Sequence, residues 1–207
     1  MRDDVELLAA WRAGDARSGE ALFERYFDQL SRFFVNKVPF DHEDLIQETF
    51  TAVVGGRDRL RRDASFRSYL FSTAFNVLKK YFARKAKVPP TSLEELAVEQ
   101  LAPGPSTLLR ANEQELLLLE SLRCIPLELQ VVLEMSYWEG MASAEIGEAL
   151  GIPAGTVRTR MMRGRDRLAQ ELRRRGGEVN ALADLDDWAQ RIRGLMEGGG
   201  SAGRRSG

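Results

Sequence analysis

Eight arginines fall between Gly155 and Gly176 with only Asp166 and Glu171 to oppose them, a local balance of +6. Val157, Met161 and Leu168 recur at helical spacing and form one apolar stripe. Arg158, Thr159, Arg160, Arg163, Arg165 and Arg167 occupy the faces that stripe leaves free. Guanidinium forks match phosphate oxygens and the paired acceptors on guanine, so the chemistry on offer is non-covalent recognition of duplex DNA. A solvated helix laced with i,i+4 ion pairs is the plain alternative, but two acids are too few to build it.

A second basic zone runs from Arg57 to Val88, with ten basic and two acidic side chains. In it Phe66, Tyr69, Leu70, Thr73, Val77 and Tyr81 interleave with Arg67, Asn76, Lys79, Lys80, Arg84 and Lys85. Cations that track a backbone, with rings between them for unstacked bases, suit single-stranded or opening DNA. Rings at three-to-four spacing also suit a core. Phe71, Phe75 and Phe82 are assigned there, while Phe66 and Tyr69 are left open to a nucleic acid.

The third set is acidic and polar. On a helix from His42 to Val54, Leu45, Thr49 and Val53 point one way with Ile46 and Phe50 beside them, and Asp44, Gln47, Glu48 and Thr51 point another. That polar face is either wet or covered by a partner. His42 is the single histidine and reads as a helix-start residue. Cys124 is the single cysteine, which excludes an internal disulfide and a cysteine-cluster metal site; its apolar neighbours predict a small core residue. No nucleophile elbow or phosphate loop occurs, so the sequence predicts neither an enzyme nor a cofactor.

Helices must hold these groups. Before the arginine-rich helix, Ile146 and Leu150 share a face, Gly151 stands where a chain leaving a helix turns left-handed, and Pro153 stands at the next helix start. Gly147 is a poor helix former, and it fits if another helix crosses closely there. That construction is a helix-turn-helix, whose second helix enters the major groove. Leu118, Leu122, Leu129, Val132 and Leu133 of two preceding helices supply its core; Ser106 or Thr107 caps the first, Pro126 opens the second and Gly140 closes it. Near the N-terminus Asp3 or Asp4 caps a helix with Val5, Leu8 and Trp11 on one face, and Ala21, Leu22, Tyr26, Leu30, Phe33 and Phe34 stripe the next. No alternating strand pattern appears. The expected fold is all-α.

Between the basic zones, VPPTSLEELAVEQLAPGPST carries four prolines and three glutamates without a basic residue, the mark of a linker with at most one helical turn at Leu93–Leu96. Its roughly 20 residues span about 65 Å extended and average about 25 Å as a coil, enough to let two domains reach DNA sites several turns apart. The chain thus divides into 1–88, a flexible linker at 89–107, 108–175, and a 176–207 extension with an amphipathic helix and a glycine-rich disordered tail. With 43% hydrophobic residues a packed core is within reach, and the net charge of −1 hides strong zoning, since residues 1–56 balance to −5. Acids occupy the start where a secretory signal wants positive charge, and no apolar run reaches the roughly 20 residues of a membrane span, so no membrane insertion and a cytoplasmic location are expected.

Three stretches in this order, DHEDLIQETF, FRSYLFSTAFNVLKKYFARK and WEGMASAEIGEALGIPAGTVRTRMMRGRDRL, resemble a bacterial RNA polymerase sigma factor of the extracytoplasmic-function group over about residues 5–175. The resemblance implies sigma regions 2 and 4 on a linker, with core RNA polymerase and promoter DNA as partners and room for an anti-sigma factor. It places Asp44, Gln47 and Glu48 on the polymerase clamp helices, and Arg61, Arg62, Ser65, Phe66, Tyr69 and Asn76 on the opened minus-ten element, with Lys79 and Lys80 on its phosphates. Arg158, Thr159, Arg160 and Arg163 would read the minus-thirty-five element as duplex. Val54 and Tyr69 stand where tryptophan is frequent, and Ala142 where a serine cap is common, which shifts the expected cap to Ser143. Gly164 interrupts the recognition helix at up to about 1 kcal/mol relative to alanine, and residues 178–207 lie outside the pattern. The competing class is a two-domain helix-turn-helix regulator with no sigma role, which leaves the first two stretches unexplained.

Overall fold

The computed structural model describes residues 2–38, 40–59, 65–86, 96–98, 113–177 and 190. Among them the regular structure is helical, apart from one isolated bridge between Ala97 and Pro126. The first half holds α1 (Asp4–Arg12), α2 (Ala16–Val35), α3 (His42–Gly56) and α4 (Phe66–Ala86), and the second holds α5 (Glu113–Arg123), α6 (Leu127–Tyr137), α7 (Ser143–Leu150) and α8 (Ala154–Arg174). The expected C-terminal amphipathic helix and tail lie outside the described residues.

Local chemistry sets most boundaries. Asp3 accepts from the Glu6 amide at 2.8 Å while the Glu6 carboxylate accepts from the Asp3 amide at 3.2 Å, so two orphan donors of α1 are satisfied reciprocally. The face α1 buries is Leu7, Leu8 and Trp11, whereas Val5, expected inside, is 70% exposed. Trp11 decides this. Its indole presses on Gly19 of α2, where a Cβ would stand 2.5 Å from the ring nitrogen. Asp4 then ties α1 to Arg25 and Tyr26 of α2, and burial together with that bond pushes the Tyr26 phenol well above its usual range.

The stripe on α2 is buried as its spacing requires, with Leu22, Leu30 and Phe34 fully enclosed. It packs on α3 and α4 and fills the first half's interior with rings, including Phe33 edge-on to Phe71. Phe66, left open by its spacing, is 3% exposed and lies against Tyr26. In the second half Leu118, Leu122, Leu129, Leu133, Trp138, Leu168 and Leu172 form a separate cluster between α5, α6 and α8.

Val132 departs from that plan. With Leu127, Val131 and Met135 of α6, and Ile146 and Ala149 of α7, it joins the cluster of the first half. The two halves are therefore packed on one another, α7 lying along α4. Ion pairs cross the seam: Arg32 of α2 grips Glu139 with two hydrogen bonds of 2.9 Å, and Lys37 meets Glu134 and the Phe33 ring. All four charged side chains are at most 6% exposed. Desolvation drives the Lys37 ammonium down and the Glu134 carboxyl up, and their mutual attraction opposes both. The linker adds a piece of its own. The Leu96 carbonyl accepts from the Leu127 amide at 2.8 Å, and Val98 is fully buried. A tether expected to let the halves drift apart has its described part docked against α6.

Candidate nucleic-acid interface

The turn between α7 and α8 is built from two glycines. Gly151 adopts φ 68°, ψ 31°, which ends α7 left-handed, and the Ile152 amide returns to the Gly147 carbonyl at 3.0 Å. A Cβ on Gly147 would come within 2.7 Å of the Ile152 carbonyl oxygen, so the expected close crossing is the entry into α8. Ser143 does not take the cap. The N-cap is Ala142, and the return half of a capping box compensates, with Glu145 accepting from the Ala142 amide at 2.9 Å.

Helix α8 turns Val157, Gly164, Leu168 and Leu172 inward. Gly164 has a packing reason: a Cβ there would stand 3.1 Å from Leu133 of α6. Arg158, Thr159 and Arg163 face solvent, together with Met162 at 61% exposure. Arg160 stands apart from them. Its guanidinium lies 2.6 Å from Glu128 of α6, and the pair is largely covered. The outer face of α8 is thus mostly cations, with the Thr156 and Thr159 hydroxyls, the Met162 thioether and Asp166 among them, and its other side is seated on α6 and α7.

On α4 the residues fall into two sets. Tyr69, Thr73, Asn76, Lys80 and Arg84 recur at four-three-four-four spacing, with Asn76, Lys80 and Arg84 exposed. Lys79 lies beside this strip with its ammonium 4.6 Å from the Phe75 ring centre. Tyr69 is half-buried, its hydroxyl filling the space a side chain at Gly56 would need. Phe66 belongs to the interior, and the Ser65 hydroxyl accepts from the Ser68 amide at 3.3 Å, as a cap does. Arg61 and Arg62 lie outside the described residues.

Helix α3 exposes Asp44 and Gln47, with Glu48 half-buried and 3.6 Å from Arg84. Val54 continues the same face at 46% exposure, and Phe40, just before the helix, is 90% exposed. Neither was singled out by spacing, although an apolar residue on a helix's polar face is a readable signal of a partner. Asp41 is held by the Tyr81 hydroxyl at 2.6 Å and by Lys85 at 3.2 Å, which lowers its carboxyl below the usual range. Arg67 is the other omission: its guanidinium bridges Gln29 and the Glu139 carbonyl, across the seam.

The family profile described as "Sigma-70 region 2" matches residues 22–88, and that described as "Sigma-70, region 4" matches residues 115–168. The chain is 29% identical over 173 residues to the ECF RNA polymerase sigma-E factors of Salmonella typhimurium and Escherichia coli, covering 79% of this chain and 91% of theirs. The sigma-E factor of Haemophilus influenzae is 23% identical, with 82% and 95% covered. Its fold is similar to CnrH, solved with the cytosolic domain of CnrY (TM-score 0.54, 24% identity, 82% of this chain and 96% of that one). It is also similar to the sigma factor RpoE of Bartonella quintana, solved with the anti-sigma factor NepR (TM-score 0.56, 16% identity, 74% and 96% covered). With both matched regions falling on the helices that carry the basic and polar strips, the chain belongs to the sigma-70 family of RNA polymerase sigma factors, in its extracytoplasmic-function group.

Proposed function

We propose that this sigma factor acts in the cytoplasm, binds core RNA polymerase through α3, and directs initiation by reading two promoter elements with α4 and α8. The observation that carries the reading is the coincidence of exposed strips with matched regions: an acidic-polar strip and a basic strip within region 2, and an arginine strip within region 4. Asp44, Gln47 and Glu48 dock on the polymerase, and Val54 and Phe40 add apolar contact at the ends of the same surface. Arg61, Arg62, Ser65, Tyr69, Asn76, Lys79 and Lys80 hold the opened minus-ten strand. Phe66 supports that wall from within. Capturing an extruded base offsets the few kcal/mol that unstacking costs, so no covalent step is needed.

Arg158, Thr159 and Arg163 read the minus-thirty-five duplex, while Arg160, held by Glu128, seats the helix that presents them and reaches DNA only by exchanging that pair. An anti-sigma factor is a further partner, by extension from the RpoE–NepR complex. A regulator confined to the helix-turn-helix would leave the region 2 match over 22–88 without a role. The test is reconstitution with core polymerase on a randomised promoter library. Enrichment of templates that share two spaced elements is the expected result. Tight duplex binding without any association with core polymerase would sink the proposal.

A further inference from the structure

We infer that Gly56 is a positioning residue for strand opening: it leaves a notch at the end of α3 that seats the tip of the Tyr69 ring and so presents the ring's body to an unpaired base. The inference rests on the reading of α4 as the holder of the opened minus-ten strand. Two glycines end α3 side by side, and their surroundings differ. A Cβ on Gly55 would meet nothing within 4 Å. A Cβ on Gly56 would overlap the Tyr69 hydroxyl oxygen outright and stand 3.3 Å from the ring carbon that bears it. Neither glycine takes a left-handed backbone, so conformational freedom accounts for neither. Helix propensity disfavours both alike. Only the contact with Tyr69 sets Gly56 apart.

The backbone around the notch is anchored. Gly56 leads into the turn Arg57–Arg59, whose first carbonyl accepts from Nε of Arg12 at 3.3 Å. The Arg57 guanidinium lies over the Trp11 ring, 5.6 Å from its centre. With the end of α3 tied to α1 in this way, the group that must yield to a methyl at position 56 is the Tyr69 side chain. Tyr69 is half-buried, and its tip occupies the notch, so its exposure belongs to the ring body. That body lies on the strip it shares with Thr73, Asn76 and Lys80. An aromatic surface beside cations is what an unpaired base stacks on. A ring already held in one attitude loses less rotamer freedom when the base arrives, so the notch favours the opened state.

The test uses full-length variants with core polymerase on one promoter enriched from the randomised library. The template is supplied as closed duplex or with its minus-ten segment premelted as a bubble, at saturating protein. Gly56→Ala is expected to lower transcripts from the duplex about tenfold, the scale of one base–aromatic stack, and to spare the bubble, which needs no opening. Gly55→Ala should stay within about twofold of the unsubstituted chain on both templates. Removing the hydroxyl should make room again, so Gly56→Ala with Tyr69→Phe is expected to initiate as well as Tyr69→Phe alone. Full activity of Gly56→Ala on the duplex, equal losses on duplex and bubble, or a double variant no better than Gly56→Ala overturns the inference. If the unsubstituted chain fails on the closed duplex, the sigma reading itself fails and the inference falls with it.

Discussion

Helices α4 and α8 are both 21 residues long and both basic, yet they are built differently. Helix α8 is a surface helix with one apolar stripe and a charged remainder, so its sequence displays its orientation directly. Helix α4 is buried on two sides. Leu70, Phe71, Ala74, Leu78 and Phe82 are fully enclosed, and it faces both the interior of the first half and α7 of the second. Only the strip from Tyr69 to Arg84 is left for a ligand. A helix that serves two packing surfaces loses the clean periodicity that a one-sided helix keeps. In α8 the exposed cations and the packing residues are separate sets, whereas in α4 they crowd the same turns.

Substitutions can break that comparison, and the largest effect belongs to the helix with the least free surface. Phe71→Ala is expected to lower stability by about 3–5 kcal/mol in denaturant unfolding, because the ring is fully buried against Phe33. A loss below about 1 kcal/mol would mean that α4 is not built into the interior as described. Gly164→Ala comes next. Helix propensity alone favours alanine by up to about 1 kcal/mol, but Leu133 stands 3.1 Å from the new methyl and is itself packed, so a net loss of about 1–3 kcal/mol is expected. Stabilisation would show that α6 yields, and that the stripe on α8 is looser than the one on α4.

Arg163→Ala sharpens the contrast in the other direction. Stability should change by no more than about 0.5 kcal/mol. The salt dependence of duplex binding should meanwhile weaken by about one unit of log–log slope. An unchanged slope would remove Arg163 from the DNA face. The smallest effect is expected at Asp41, whose carboxyl is lowered first by the Tyr81 hydroxyl and then by Lys85. A lowered folded-state value contributes stability that is present above the unfolded value of 3.8 and fades as pH falls through the folded one. Asp41→Asn should therefore lower the neutral part of the stability curve slightly and flatten its acid limb below about pH 4, where the wild-type contribution fades anyway. An unaltered acid limb would mean that the link from α3 to the end of α4 is not made in solution.

Much of the fold was legible. The arginine strip, the left-handed Gly151, the α2 stripe and the linker composition all rest on local rules of spacing and backbone preference, and those rules act within a few residues. Less of the candidate site could be read this way. Phe66 and Tyr69 have the same spacing and the same kind of side chain, but Tyr26 encloses one ring while Gly56 leaves the other half open. Arg160 shares the helical face pattern of Arg158 and Arg163, but Glu128, 32 positions earlier, lies beside it.

By itself, then, the sequence determined an all-helical chain with two basic helices, a helix-turn-helix and an acidic-polar strip, because each follows from periodicity, capping and local charge. Tertiary structure alone decided which basic side chains face outward, why Gly164 is a glycine, and that Val132 of α6 faces the first half rather than its own. It also decided that Arg32 and Lys37 find Glu139 and Glu134 about a hundred residues away. Pairings at that separation depend on which surfaces meet once both halves have folded, and no local pattern encodes them.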